Sequence, residues 1–355
     1  MKNSILPPRV RRAPSTRHHA AEPVDNLRTM LGARVLGQPE AMRAIVPHIE
    51  MYQAGLSPEG RPAGVFLLLG PTGTGKTRTV EALADVLHGS EKSLIRIDCG
   101  EFQMEHEVAK LIGAPPGYLG HRETQPMLNQ VKLNAVTSEH SSLALILFDE
   151  IEKAAASMQR LLLGILDKGT LRLGDNTTVN FERTMIFMTS NLGARAMRKR
   201  LAPDFGFEAI AEREGVGVPR SDSRKKIESI GLKAVKHKFT PEFVNRIDAI
   251  VAYEPLSKDT MSGILDLQLE GLQDLIHRRL DERAFDLGIT EAGKEYLLAN
   301  GTSDEYGARE LKRTLQRKVV QPLAMLVSAN RIPPSSQVII DMAADRKNLI
   351  LKFAA

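Results

Sequence analysis

Residues 65–77 read VFLLLGPTGTGKT, a continuous apolar run followed by a glycine-rich turn. The run Val65–Leu69 is preceded by Gly64, which is the pattern of a short strand buried on both faces. Beyond the turn, Thr77–Leu87 places its apolar residues on one face of a helix. A buried strand, a glycine-rich turn and a helix in succession predict an α/β fold built on a parallel sheet.

Three further apolar runs are expected to add strands to this sheet: Leu94–Ile97, Leu143–Phe148 and Met185–Met188. Helical patterns lie between them, so helices should cover both faces of the sheet. Residues 27–56 also look helical, with a break at Gly37-Gln38-Pro39. Together these features predict a large αβα domain.

The pattern of the chain changes after Glu254-Pro255. The segments that follow are mainly helical, and residues 337–353 alternate like two strands. We therefore predict a large nucleotide-binding domain over residues 27–254. A small, mainly helical C-terminal domain is expected over 255–355, ending in a β-hairpin.

Residues 1–26 are predicted to form a basic, disordered tail, because they combine proline with unpaired positive charge. Five residues account for the whole formal net charge of +5: Lys2, Arg9, Arg11, Arg12 and Arg17. Residues 21–355 are formally neutral, so the charge does not indicate a uniformly basic surface for nucleic acid.

The remaining composition argues against a membrane or disulfide-stabilised protein. No run of about 18 apolar residues is present, so a transmembrane helix is not expected. The N-terminus lacks the apolar segment of a secretory signal. Cys99 is the only cysteine, so no intramolecular disulfide can form, which fits a reducing cytoplasm.

The glycine-rich turn is a candidate phosphate site. Gly70-Pro71-Thr72-Gly73-Thr74-Gly75-Lys76-Thr77 fits G-x-x-x-x-G-K-[ST] at every position, after a strand and before a helix. The glycines let backbone N–H groups surround phosphate oxygens, and the helix directs its positive end toward them. Lys76 can reach the β- and γ-phosphates of ATP, and the Thr77 hydroxyl can bind Mg²⁺.

Two acids end the predicted strand Leu143–Phe148, at the sheet edge where open α/β sheets bind ligands. We expect Asp149 to hold Mg²⁺ and Glu150 to polarise the attacking water. Successive strand residues point to opposite faces, so the two acids should have different roles. Alone, the pair could equally cap the helical pattern that begins at Ile151.

With these motifs the chain resembles the second ATPase module of the Clp disaggregase and unfoldase chaperones (ClpB, ClpC and ClpA), over about residues 30–353. The resemblance implies four further nucleotide contacts. Val35-Leu36 would pack on adenine, Asn191 would be the sensor-1 residue, Arg309 would be the sensor-2 residue, and Arg246 would reach the γ-phosphate of the neighbouring subunit.

Each of these four roles has an ordinary structural alternative. Val35-Leu36 could be a turn before a helix, and Asn191 could be a buried cap. Arg246 could form a salt bridge with Asp248 or Glu242, and Arg309 could be a solvated surface residue.

Gly117-Tyr118-Leu119-Gly120 resembles the substrate pore loop of the family, in which Tyr118 and Leu119 would grip a polypeptide. The alternative is a tyrosine buried under a loop. The sequence departs from the family at three places near the channel: His121–Pro126, Ala155 and Leu166–Val179. The nucleotide motifs are intact, so the substrate is less constrained by the sequence than the ATPase.

Phe205-Gly206-Phe207 resembles the tripeptide by which relatives dock a ClpP-like peptidase, although a loop anchored on the core would look the same. The resemblance covers one ATPase module, without the family's N-terminal substrate domain, so an adaptor is a further expected partner. The sequence thus predicts a homohexameric, cytoplasmic ATPase that threads polypeptides. The alternatives are a nucleic-acid-associated motor and an ATP-switched scaffold.

Overall fold

The computed structural model describes residues 24–113, 126–201, 220–303, 307–343 and 348–354. The chain divides into two compact units, the larger ending at Glu254 and the smaller beginning at Pro255, with which Thr72–Thr74 are grouped. None of the helices within the described ranges is long and apolar enough to cross a membrane.

A five-stranded parallel sheet forms the centre of the larger unit, with strand order β2-β3-β6-β1-β7. Its strands are β1 Gly64–Leu69, β2 Ile95–Asp98, β3 Ala144–Asp149, β6 Thr184–Ser190 and β7 Ala249–Ala252. A separate antiparallel hairpin consists of β4 Thr170–Arg172 and β5 Thr178–Asn180.

Helices accompany these strands in the described parts of the larger unit. They are α1 Val24–Arg34, α2 Pro39–Gln53, α3 Lys76–His88, α4 Ala109–Ile112, α5 Gln130–Ala135, α6 Ala156–Lys168, α7 Ala194–Leu201, α8 Arg220–Lys238 and α9 Pro241–Val244. Short 3₁₀ turns lie at Cys99–Glu101, Glu105–Val108 and Ile151–Lys153.

The central strand β1 shows why an uninterrupted apolar run is needed. Every residue of β1 is buried. Val65, Leu67 and Leu69 contribute to the core on one face of the sheet, and Phe66 and Leu68 contribute to the core on the other. The alternation of strand side chains therefore fills two cores, as expected for a covered parallel sheet.

The predicted α/β fold with a parallel sheet is confirmed, but the edge strand β7 was not anticipated. It has only four residues, and it pairs with β1 from Phe66↔Ala249 to Leu69↔Ala252. Such a short segment gives too little periodicity to separate a strand from a buried helix turn.

The smaller unit combines helices with a three-stranded sheet. Its helices are α10 Lys258–Leu280, α11 Glu291–Gly301, α12 Ala308–Leu315 and α13 Gln321–Ser328, with a π-helical segment at Gln316–Val320 and a 3₁₀ turn at Asp281–Arg283. The two expected closing strands are β9 Gln337–Met342 and β10 Leu349–Ala354, paired antiparallel. A third strand, β8 Asp286–Ile289, pairs parallel with β9 and was not predicted.

Candidate functional site

The candidate phosphate-binding loop, residues 70–77 (the P-loop), follows β1, and its conformation depends on glycine. Gly70, Gly73 and Gly75 have positive φ angles of 147°, 78° and 104°. At Gly70 a side chain would also meet an obstacle, because its Cβ would lie 2.7 Å from the carbonyl oxygen of Tyr253. Glycine adopts such angles without a steric penalty, so the loop conformation requires these residues.

Lys76 opens α3 and has a largely buried side chain, with the residue 8% exposed. Its ammonium donates hydrogen bonds to the carbonyl oxygens of Gly70 (2.6 Å) and Pro71 (2.9 Å). It also donates to Oδ1 of Asn191 at 3.0 Å. A buried ammonium needs such acceptors, and phosphate oxygens arriving in the loop would offer stronger, charged ones.

Asn191 directly follows β6 and joins two other site residues. Its Oδ1 accepts from Lys76, and its Nδ2 donates to Oε1 of Glu150 at 3.3 Å. Its backbone N–H donates to Oε1 of Glu152 at 3.0 Å. Three strand ends thus meet at one side-chain amide.

The two acids at the end of β3 differ in backbone conformation. Asp149 is the last strand residue, whereas Glu150 has left the strand with φ 57° and ψ 50°. The expected difference in direction is therefore produced by a left-handed residue and not by strand alternation. The Thr189 hydroxyl accepts from the backbone N–H of Glu150 at 3.0 Å and donates to Oδ1 of Asp149.

Each acid also has a cationic partner that the sequence reasoning missed. Arg96 on β2 donates to Oδ2 of Asp149 at 2.5 Å, and Lys153 pairs with Oε2 of Glu150. The hydrogen bond to Glu150 raises the pKa of Lys153 above its ordinary value. The three-residue spacing of Glu150 and Lys153 was a usable signal, but the Arg96 contact depends on strand order.

The residues present fit a nucleotide with Mg²⁺. A threonine hydroxyl and a carboxylate are oxygen ligands that Mg²⁺ prefers, and Thr77 and Asp149 would supply them. Among the described residues no group of three or more His, Cys, Asp or Glu could hold a metal alone. Phosphate oxygens of the nucleotide and waters would complete the coordination.

The sole cysteine lies beside this site but is unreactive. Cys99 follows β2 and is fully buried. Burial, and secondarily the charge of Asp149, raises the pKa of its thiol. The thiol therefore stays protonated and is not a candidate nucleophile.

Arg246 follows α9, and its ion-pair partner differs from the two considered in the sequence. The structure pairs its Nε with Oδ1 of Asp167 at 3.0 Å, so a salt bridge to Asp248 or Glu242 is not what forms. Asp248 is engaged elsewhere, because it accepts from Arg61 at 2.7 Å and from the Val65 backbone N–H at 2.8 Å.

The other predicted residues fall into three groups. Val35 is buried in the core and Leu36 is half-buried, just before the break between α1 and α2. Arg309 is exposed in the first turn of α12, in the smaller unit. Tyr118 and Leu119, together with Phe205-Gly206-Phe207, lie outside the described residues.

Comparison with known proteins identifies the family of the chain. A family model for the AAA domain (Cdc48 subfamily) matches residues 61–250, and one for the C-terminal D2-small domain of ClpB protein matches residues 256–340. Chaperone protein ClpB of Pseudomonas putida is 37% identical over 316 residues, covering 89% of this chain and 33% of its own length. The ATP-dependent Clp protease ATP-binding subunit ClpC of Staphylococcus saprophyticus is 36% identical, covering 89% and 36%.

Solved structures show the same likeness. The Saccharomyces cerevisiae Hsp104:casein complex has a TM-score of 0.76 and 26% identity, covering 94% of this chain and 53% of that one. The Hsp104-ADP complex of the same organism has a TM-score of 0.74 and 28% identity, covering 92% and 52%. This chain spans about one third of the length of the curated relatives. Its two domain matches show that the chain belongs to the AAA domain family (Cdc48 subfamily), with a C-terminal domain of the ClpB D2-small type.

Proposed function

We propose that this module binds and hydrolyses ATP at the carboxyl edge of its sheet and uses the energy to remodel polypeptides. The observation that carries the proposal is the Asn191 amide, which contacts both Lys76 and Glu150. A single residue thereby links the phosphate loop to the candidate base, an arrangement that a purely structural turn does not need.

The residues divide the work of hydrolysis. Lys76 binds the β- and γ-phosphates, and Thr77 and Asp149 hold Mg²⁺, which neutralises phosphate charge when it is bound. Glu150 accepts a proton from the attacking water, and Asn191 orients that water. Val35 and Leu36 contact the adenine.

A ring of identical subunits, six by analogy with the family, would complete each site. Arg246 would act on the nucleotide of the neighbouring subunit, and Arg309 on the nucleotide of its own. A cation at the γ-phosphate stabilises charge in the transition state, worth about 10³–10⁵ in rate for related chemistry.

Polypeptide is the proposed substrate, since one structural neighbour is a complex with casein. Tyr118 and Leu119 would grip the chain, because an aromatic and an aliphatic side chain bind without regard to sequence. A ClpP-like peptidase would dock at Phe205-Gly206-Phe207, and an adaptor would deliver clients. The lone, buried Cys99 suits a reducing compartment such as the cytoplasm.

Phosphate release in the presence of unfolded casein or of DNA tests this function. We expect casein to stimulate hydrolysis and Tyr118→Ala to abolish casein threading while basal hydrolysis continues. Leu56→Ala is the control, since it removes an apolar side chain that is 74% exposed elsewhere in the larger unit. Stimulation by DNA alone would indicate a nucleic-acid motor, and the absence of phosphate release would indicate an ATP-switched scaffold.

A further inference from the structure

The segment that carries Arg246 is packed against two others in the larger unit. Gly169, directly after α6, has φ 58°, and a Cβ there would lie 3.1 Å from both Cα and N of Arg61. Arg61 in turn binds Asp248, two residues after Arg246. The end of α6 therefore lies in backbone contact with the approach to β1, and the Arg61 side chain joins this pair to the approach to β7.

Two arginines and two aspartates share this junction. Asp248 uses one carboxylate oxygen for Arg61 and the other for the backbone N–H of Val65. Its own backbone N–H donates to the Val65 carbonyl at 2.9 Å. Asp248 is thus committed to anchoring the chain at the start of β1, and the carboxylate that faces Arg246 is that of Asp167.

The contact between Arg246 and Asp167 has a particular form. It is made at Nε, on the stem side of the guanidinium, at 3.0 Å. The two atoms are not aligned as a hydrogen bond, so the attraction is mainly electrostatic. A guanidinium offers five N–H donors, so holding the group at Nε leaves donors on the terminal nitrogens for a further anion.

Both side chains keep access to solvent, with 36% of Arg246 and 43% of Asp167 exposed. An isolated ion pair with this exposure contributes little to stability, typically about 0–1 kcal/mol. Its value would lie in fixing the direction of the arginine. Asp167 lies in the last turn of α6, a helix that begins six residues after Glu150. The helix fixes the position of the Asp167 carboxylate.

We propose that Asp167 is a positioning residue for Arg246, holding its guanidinium ready for the γ-phosphate bound by a neighbouring copy of this chain. This inference rests on the proposed function, in which Arg246 acts between subunits. It gives the last turn of α6 a role in hydrolysis on the adjacent subunit and none on its own P-loop.

The first test is the steady-state ATPase of Asp167→Asn. Misplacing a transition-state contact by about 1 Å costs up to roughly 10²-fold, so we expect kcat to fall by about 10- to 10²-fold while KM for ATP changes little. Asp167→Glu, which keeps the charge, should recover part of the loss. Glu91→Gln is the matched control, because Glu91 is an acid of similar exposure (48%) in an ion pair with Arg78.

Mixing subunits separates a role between subunits from one within a subunit. Asp167→Asn protein has an intact Glu150, and Glu150→Gln protein has an intact Arg246 and Asp167. In equal mixtures about one quarter of the sites would combine the two intact halves, because each head-to-tail interface takes one set from each neighbour. We expect the mixture to hydrolyse ATP faster than either variant alone, as should a mixture of Arg246→Ala with Glu150→Gln.

The outcomes are distinct. Recovery in both mixtures supports the role of Asp167. Recovery with Arg246→Ala but not with Asp167→Asn overturns it, since Asp167 would then act within its own subunit. Recovery in neither mixture contradicts the shared site, and with it the proposed function. Wild-type kcat for Asp167→Asn also overturns the inference.

Discussion

The two edges of the central sheet differ, and cavity size alone would place the functional site at the wrong edge. The amino edge holds a cavity of about 490 Å³ between α5 and the starts of β3 and β6. The carboxyl edge holds the P-loop, Asp149, Glu150 and Asn191.

The polar contacts at the amino-edge cavity join backbone and amide groups to one another and to one carboxylate, that of Glu182. Asn180 donates to Glu182 at 3.2 Å and its backbone N–H donates to Gln130 at 3.0 Å, while Glu182 also accepts from the Gly60 N–H at 2.9 Å. At the carboxyl edge, Asn191 follows β6 and its side chain contacts an ammonium that follows β1 and a carboxylate that follows β3. The carboxyl edge therefore brings an ammonium, a carboxylate and an amide together at three strand ends, where open parallel sheets bind ligands.

The largest expected effect compares one acid from each edge. Glu150→Gln should lower ATP hydrolysis by roughly 10²–10⁴-fold, the scale of a lost general base, with ATP binding retained. Glu182→Gln keeps one acceptor oxygen at this position and should hydrolyse ATP at the wild-type rate, because Glu182 lies at the amino edge. Phosphate release and binding of a fluorescent ATP analogue measure both. Equal loss in the two variants would remove the distinction between the edges.

A smaller effect is expected for the asparagines. Asn191→Ala removes an oriented group from the site, so kcat should fall by about 10²-fold. Asn180→Ala loses only contacts local to the amino edge, and its kcat should stay within about twofold of wild type because it touches no reacting group. The same ATPase assay measures both variants. A larger fall in kcat for Asn180→Ala than for Asn191→Ala would place the site at the amino edge and contradict this account.

A third comparison concerns the free energy of unfolding when a glycine is replaced by alanine. Gly70→Ala meets both a positive φ and Tyr253, so the free energy of unfolding should fall by about 2–4 kcal/mol. Gly164 is exposed on α6, and a Cβ added there would have nothing within 4 Å, so Gly164→Ala should raise the free energy of unfolding by about 1 kcal/mol. Urea denaturation measures the pair, and changes of the same sign would contradict this account of the P-loop.

Features that depend on residues close together in the chain could be predicted from the sequence. The run Val65–Leu69 and the P-loop define their own strand and turn, and the acids after β3 follow from where that run ends. The closing hairpin was likewise visible in the alternation of residues 337–353. Local pattern thus predicted the fold class and most of the candidate site.

Other contacts join residues far apart in the chain, and local pattern carries no sign of them. The Arg96–Asp149 pair needs β2 beside β3, and Arg246 reaches an acid 79 positions earlier, Asp167, because α6 ends beside the start of β1. From the sequence, Asp248 and Glu242 were the alternative partners for Arg246. Strand order places Asp248 instead against Arg61 and Val65.

Hydrogen exchange of the Glu150→Gln protein with and without ATP tests the central claim most directly, because ATP should stay bound while hydrolysis is slow. The account predicts protection of the amides of residues 70–77 and 189–192, with no change at residues 130–134 and 180–184. Protection confined to the amino-edge cavity, or none at the P-loop at saturating ATP, would contradict it.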